Sequence, residues 1–193
     1  FVTAMKPNSI AVFNSNDIYP ISADSTIPFA QHRDIFYLSG VDQEESILVI
    51  FPDAPYENQR EILFLRETND HIAVWEGAKL NKEQAFETSG IKTVYWLQEF
   101  HKILNELMSY SETMYINTNE HYRAVVVTET REARFNKWWK EAYPAHNVAK
   151  SNTILQKIRS IKETEEIELI QAACNITEKG LRRVLNFVKP NVT

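Results

Sequence analysis

The sequence predicts an α/β domain in which a β-sheet is covered by helices on both faces. Two observations support this fold class. Several short runs of consecutive apolar residues are separated by polar or proline-containing turns, and continuous apolarity is typical of strands buried on both sides. Elsewhere, apolar residues recur at three- and four-residue spacing among charged residues, which is the pattern of amphipathic helices.

The predicted strands dominate the first third of the chain. Residues 9–13 (SIAVF) form a β-rich run bounded by polar turns and predict the first strand. A long polar loop follows, and we expect Pro20 and Pro28 to keep it out of regular structure. Three more apolar runs predict further strands, at residues 36–38, 47–51 and 62–65.

Helical patterns dominate the rest of the chain. From residue 97, apolar residues at helical spacing predict an amphipathic helix, which a strand at residues 113–117 follows. Residues 129–143 predict a charged surface helix with Trp138 and Trp139 on its buried face, ended by Pro144. Residues 145–153 lack periodicity and are interpreted as a linker, and a long helix is predicted from residue 158 to the Lys189-Pro190 pair.

Composition excludes several classes of partner. A net charge of −5 argues against a nucleic-acid surface, because such surfaces carry a basic excess. No apolar run reaches the roughly 20 residues that a membrane-spanning helix needs, and residues 1–7 do not resemble a signal peptide. The single cysteine, Cys174, fits a reducing compartment, so we expect a cytoplasmic protein. We interpret Cys174 itself as a small buried residue on a helix.

The residues by themselves indicate no catalytic site. The five histidines are scattered, and every aspartate lies at or before Asp70, so a metal centre with paired carboxylates is hard to build from residues 71–193. With only four glycines, neither a nucleophile elbow nor a phosphate-binding loop is present. Taken alone, this composition predicts an α/β domain and no particular chemistry.

Motifs in four stretches change that interpretation. Residues 22–40 (SADSTIPFAQHRDIFYLSG), 63–66 (LFLR) and 74–80 (VWEGAKL) resemble the N-terminal domain of Xaa-Pro aminopeptidases and prolidases, in the creatinase-like family. The shared features are an aspartate-bearing loop, an aromatic stretch before a turn glycine, and a Trp-x-Gly-x-x-Leu element. Residues 158–170 (IRSIKETEEIELI) are similar to the linker and first helix of the family's "pita-bread" metallopeptidase domain.

The resemblance implies a domain organisation. Residues 1–150 would form a three-layer α/β/α domain with a mixed sheet, and residues 151–193 the linker and first helix of the catalytic domain. In the family, two metal ions, usually manganese, are held by two Asp, one His and two Glu downstream of that helix. We therefore expect this chain to be a piece of a longer protein, with no catalytic residue, no metal site and no activity of its own.

The resemblance also implies roles for three residues. Asp24 matches a loop aspartate that helps to shape a substrate pocket, sometimes in a neighbouring subunit, and Trp75 matches the tryptophan that closes over the substrate. Arg159 matches the linker arginine, and an arginine there could hold a carboxylate in two parallel bonds. The alternatives are a turn-forming aspartate, a core tryptophan and a solvated charge at a helix start.

The family implies the activity and partners of the longer protein. It would remove the N-terminal residue of peptides that have proline in the second position, and this domain would shape the substrate pocket and the contacts within a homo-oligomer, dimer or tetramer. Two departures are noted: Ala30 replaces a common arginine, and residues 76–79 lack the paired arginines often found there. The alternatives are a catalytically inactive peptide-binding module, as in the FACT histone chaperone, or a prolidase dimerisation domain.

Overall fold

The computed structural model describes residues 1–118, 121, 123 and 125–190, apart from the side chain of residue 70. The strands are β1 (Ser9–Asn14), β2 (Pro20–Ser22), β3 (Ser25–Thr26), β4 (Ile47–Ile50), β5 (Glu61–Leu65), β6 (Thr93–Trp96), β7 (Thr113–Ile116) and β8 (Asn147–Lys150). The helices are α1 (Arg33–Ser39), α2 (Asp70–Glu76), α3 (Lys82–Ser89), α4 (Phe100–Met108), α5 (Arg131–Ala142), α6 (Asn152–Ser160) and α7 (Thr164–Phe187). The chain divides into two compact units, and the second begins at Gln156.

Six strands form one mixed sheet in the order β6-β5-β4-β1-β7-β8. Strand β1 runs parallel to β7, which runs parallel to β8, and β5 runs parallel to β6. Strand β4 is antiparallel to both β1 and β5. Every residue of β1, β4 and β7 is buried, as the continuous apolar runs predict. The predicted α/β class with a mixed, helix-covered sheet is confirmed.

Alternate residues of the central strands face the two helical layers, because successive side chains of a strand point to opposite faces. On one face, strand residues such as Val12, Val49 and Phe64 pack with α4 and α5 in a single core cluster. On the other face, α1 contacts β1 and β4, and α3 contacts β6. Helix α4 buries Phe100, Leu104, Leu107 and Met108, which confirms the predicted amphipathic helix.

Helix α5 confirms the predicted surface helix and its buried tryptophan face. Trp139 is fully buried, Trp138 is partly buried, and both belong to the aromatic layer over the sheet. The indole Nε1 of Trp139 donates a hydrogen bond to Met108 Sδ over 3.3 Å. This bond gives the buried N–H a partner on α4 and ties the two helices together.

The strand predicted at residues 36–38 is wrong, because these residues lie in helix α1. His32 begins the helix, and its side chain accepts a hydrogen bond from the Asp34 backbone N–H over 3.3 Å. Gly40 ends it with φ of 69°, a left-handed conformation that glycine adopts without strain. The short apolar run is one face of a capped helix, which leaves Phe36 and Tyr37 partly exposed.

Two segments predicted to be irregular also differ. The loop at residues 14–28 contains the short antiparallel pair β2–β3, in which Pro20 starts a strand and needs no ladder N–H there. The predicted linker at residues 145–153 contains edge strand β8 and the start of α6. Strands β2, β3 and β8 are short and mostly exposed, so they carry no apolar run that a sequence pattern could detect.

The long helix predicted from residue 158 is two helices, α6 and α7, separated at residues 161–163. Glu163 begins α7, and its backbone N–H donates to Glu166 over 3.0 Å in a capping box. Helix α7 buries none of its residues, so Cys174 is exposed and the prediction of a buried cysteine is wrong. No helix among the described residues is both long enough and apolar enough to cross a membrane.

Candidate functional site

Asp24 lies at the exposed turn that joins β2 and β3. The preceding residue, Ala23, has φ of 50°, which allows the tight reversal between the two strands. The backbone N–H of Ile27 donates to the carbonyl of Tyr19 over 2.9 Å and closes the base of this ribbon. Asp24 is therefore presented to solvent at the tip of a small surface element.

Trp75 lies near the end of α2 with 81% of its surface exposed. Asn69 begins the helix by accepting a hydrogen bond from the Ile72 backbone N–H over 3.0 Å. The neighbouring Glu76 pairs with Arg66 over 2.7 Å, so α2 is attached beside the end of β5. This exposure excludes a core role for Trp75 within the described structure.

Arg159 lies in the last turn of α6, in the second unit, and is partly exposed. Its backbone carbonyl accepts a hydrogen bond from Lys162 Nζ. Asp24 and Trp75 lie on two separate elements of the first unit. The structure thus places each of the three predicted residues on a surface, each in an element of its own.

A polar cluster that the sequence did not predict lies at the carboxyl ends of the parallel strands β1, β7 and β8. These ends meet at one edge of the sheet, where α/β folds commonly bind ligands. Ser151 Oγ donates to Asn117 Oδ1, and Asn117 Nδ2 donates to Asp34 Oδ2, each over 3.0 Å. Asn136 Nδ2 donates to the Asn117 carbonyl over 2.5 Å. This chain of bonds joins two strand ends to α1 and α5.

Glu132, in the first turn of α5, is the buried acid at this edge. Its carboxyl oxygens accept hydrogen bonds from the backbone N–H of Asn14 over 3.0 Å and from Asn14 Nδ2 over 3.3 Å. The pKa of Glu132 is raised to about 8, mainly by burial and in smaller part by nearby Asp34, against the hydrogen bonds from Asn14 and the charge of Arg131, which lower it. Glu132 is therefore mostly protonated at pH 7.

Comparison with known proteins identifies the family. Residues 1–116 match the family model described as Aminopeptidase P, N-terminal domain. This chain belongs to that family. The resemblance found in the sequence is therefore confirmed.

Individual members of the family align along nearly the whole chain. The Xaa-Pro aminopeptidase of Escherichia coli is 24% identical over 192 residues, which cover 99% of this chain and 43% of that protein. A Bacillus anthracis structure provisionally assigned as an aminopeptidase P superimposes with a TM-score of 0.82 and 26% identity, over 93% of this chain and 42% of that one. Zinc-substituted E. coli aminopeptidase P in complex with product shows the same fold, with a TM-score of 0.75 and 23% identity over 99% of this chain and 43% of that one. The chain therefore spans less than half the length of these relatives.

Family membership gives the buried cluster and the exposed residues different interpretations. The cluster around Glu132 and Asn117 joins strands and helices within the first unit, and it holds helix α5 against the carboxyl ends of the parallel strands. Asp24 and Trp75, by contrast, project from the domain and are available for contacts outside it. Within the described parts of the chain, no group of three or more His, Cys, Asp or Glu side chains could hold a metal ion. The described residues therefore do not fit a dinuclear metal centre.

Sequence reasoning missed Glu132 because a glutamate in a charged amphipathic helix resembles its solvated neighbours. A weaker signal existed at the strand ends. Asn14 and Asn117 each follow a run of buried apolar residues directly, and parallel strands bring such positions to one edge. That signal could have located the carboxyl ends of the parallel strands, but not Glu132, which packs against them.

Proposed function

We propose that this chain is the N-terminal, non-catalytic domain of an Xaa-Pro aminopeptidase, a protein that removes the first residue of peptides with proline in the second position. The proposal depends on how the chain matches its relatives. Residues 1–116 match the aminopeptidase P N-terminal family, and the alignment with the E. coli enzyme covers 99% of this chain but only 43% of that enzyme. The catalytic residues would lie in the part of such an enzyme that this chain does not align with. In this proposal, residues 1–150 form the domain, and residues 151–193 the linker and first catalytic-domain helix.

The proposed longer protein would use two divalent metal ions, manganese by family resemblance. The described residues offer no ligand group, so the ions would be held entirely by the catalytic domain. The zinc-substituted E. coli relative supports a metal requirement of this kind. The single cysteine supports a reducing, cytoplasmic setting.

The proposed role of this domain is to complete the substrate pocket and the contacts between subunits of a homo-oligomer. A tryptophan that is 81% exposed presents a large apolar surface to water, and contact with a peptide or a neighbouring subunit would bury it. Asp24, at the tip of a ribbon, is placed to reach beyond its own domain. Arg159 could pair with a carboxylate at the domain boundary.

The test is hydrolysis of an Xaa-Pro peptide with added manganese, comparing the 193-residue chain with the full-length product of its gene. We expect activity in the full-length protein and none in the 193-residue chain. Activity in the shorter chain would contradict the non-catalytic role. A folded full-length protein without activity, in the presence of manganese or zinc, would instead favour the peptide-binding module.

A further inference from the structure

A cavity of about 330 Å³ opens at the end of β1, between the sheet and helices α4 and α5. Its floor is formed where Asn14 of β1 lies beside Ile47 of β4 in the antiparallel register. This volume is at the lower end of the range of small-molecule sites, roughly 300–1,000 Å³. The cavity lies wholly within the first unit, and the proposed peptidase role does not involve it.

Aromatic rings form one wall of the cavity. The ring centroids of Phe100 and Phe135 lie 5.9 Å apart, and those of Phe135 and Trp138 lie 5.6 Å apart. The imidazole of His101 stands edge-on to Trp138 with a centroid separation of 4.9 Å. Because these rings already contact one another and the core, the wall is formed before any ligand arrives.

Two guanidinium groups, from Arg131 and Arg134, form the other wall. Arg131 Nη1 donates to Ser15 Oγ over 3.2 Å, which engages one of its five N–H donors. The pKa of Arg131 is lowered, mainly by burial and also by the charge of Arg134, although the carboxylates of Glu45 and Asp17 act in the opposite direction. Arg131 is therefore a half-buried cation that lines the cavity.

The acidic neighbours are themselves hydrogen-bonded, Asp17 to the arginines of this wall and Glu45 to a more distant arginine. Asp17 Oδ1 accepts from Arg134 over 2.5 Å, and Asp17 Oδ2 accepts from the backbone N–H of Arg131 over 2.8 Å. The carboxylate of Glu45 pairs with Arg66 over 3.2 Å, and Arg66 is shared with Glu76 at 2.7 Å. Glu132 is mostly neutral at pH 7. The two arginines thus keep their own acidic neighbours, and a carboxylate in the cavity would add a further acceptor for their N–H donors.

We propose that this cavity binds a carboxylate carried on a small apolar or aromatic body. A guanidinium group matches a carboxylate in planar, bidentate geometry, and the facing rings would cover the apolar part of the ligand. Both a free aromatic acid and the C-terminal carboxylate of a short peptide have this chemistry. The small volume restricts either ligand to about one aromatic group and its acid.

The test is calorimetric titration of the 193-residue chain with three probes at pH 7. They are 3-phenylpropionate, its uncharged amide, and acetyl-alanyl-phenylalanine with a free C-terminus. We expect at least one of the two acids to bind about tenfold or more tightly than the amide, because only an acid can accept charge-assisted bonds from the arginines. Binding of the small acid alone would identify a free acid as the ligand class, and binding of the peptide would identify a peptide terminus.

Variants connect the binding to the two arginines. The Arg134 side chain is half exposed, so the Arg134→Gln variant should fold normally and should bind the acid about tenfold more weakly. Arg131→Gln should also weaken binding of the acid about tenfold. Lys137→Gln removes the same charge from an exposed position of the same helix and should leave affinity within about twofold. Equal affinity for acid and amide, no binding at millimolar concentration, or equal effects of all three substitutions would overturn the proposal.

Discussion

Glu132 illustrates how one residue connects local chemistry to the architecture. Its carboxyl group reaches from the first turn of α5 to the end of β1, where both of its oxygens accept donors from Asn14. These bonds satisfy a backbone N–H that the sheet leaves without a ladder partner at its edge. The same position buries a carboxyl group. Because burial disfavours the ionised form, the pKa of Glu132 is raised.

This pKa predicts how stability depends on pH. Between the unfolded value of 4.5 and the folded value of about 8, the unfolded state is ionised while the folded state keeps its proton. As the pH rises through this range, the free energy of unfolding of the native-sequence protein should therefore fall, relative to that of a Glu132→Gln variant, by about 1.4 kcal/mol per pH unit. The difference between the proteins should stop changing above the folded pKa.

Urea unfolding of both proteins from pH 5 to pH 9 would measure this dependence. The glutamine variant keeps the shape of the side chain, so at pH 5 the two should agree to within about 1 kcal/mol. All other titrating groups are common to both proteins and cancel in the difference. Parallel stability curves across the range would show that the folded protein does not hold Glu132 protonated.

At the scale of elements, the β2–β3 ribbon and helix α2 carry the proposed substrate contacts. In the full-length protein, we predict that Trp75→Ala and Asp24→Ala each lower kcat/KM for longer peptides by about five- to tenfold, the size of one lost aromatic or polar contact. Metal content should stay unchanged, since neither residue belongs to a metal-ligand group among the described residues. Stability should also be unaffected by Trp75→Ala, because the side chain is 81% exposed.

The measurement is steady-state hydrolysis of Xaa-Pro dipeptides and longer peptides, with metal content determined in parallel. Tyr56→Ala is a matched control, because Tyr56 is an aromatic residue with 61% exposure on a different part of the first unit. Unchanged kinetics for both Trp75→Ala and Asp24→Ala would remove the proposed substrate roles. An equal loss in the control would assign the effect to general surface truncation.

The elements also show which parts of the fold a sequence can predict. Strands β1, β4, β5 and β7 and helices α4 and α5 carry apolar patterns that predict each of them near its observed place. The sequence predicts a strand in place of α1 because a seven-residue helix offers less than two turns of periodicity; its caps at His32 and Gly40 stabilise the helix instead. Strand β8 was missed because it is an exposed edge, held by backbone pairing with β7.

The candidate site was less predictable than the fold. Family resemblance singled out Asp24, Trp75 and Arg159, and the structure places each on a surface without testing its role. The cavity bounded by Arg131, Arg134 and the aromatic layer depends on contacts between α4, α5 and the end of β1, which are far apart in sequence. Local patterns contain no information on such a convergence, so only the folded chain reveals it.

At the scale of the whole molecule, the two compact units differ in how they are stabilised. The first unit contains the buried core formed by its strands and helices. This core extends into α6 through Ile154 and Leu155, which are 9% and 3% exposed. Helix α7 buries none of its 24 residues. Because burial of apolar side chains is the dominant favourable term in folding, the stability of this chain should reside in the first unit.

We therefore predict that a chain ending at Ser160 keeps the free energy of unfolding of the 193-residue chain to within about 0.5 kcal/mol. A chain ending at Lys150 should be less stable by roughly 3–6 kcal/mol, because it loses the burial of Ile154 and Leu155 at about 1.5–3 kcal/mol each. It also loses the Ser151 bonds to Ile116 and Asn117. Urea unfolding followed by tryptophan fluorescence measures all three chains, since every tryptophan precedes residue 150. If removing residues 161–193 cost as much as removing 151–193, α7 would have to contribute burial in solution, and the first unit would not be the independent folding unit that its core indicates.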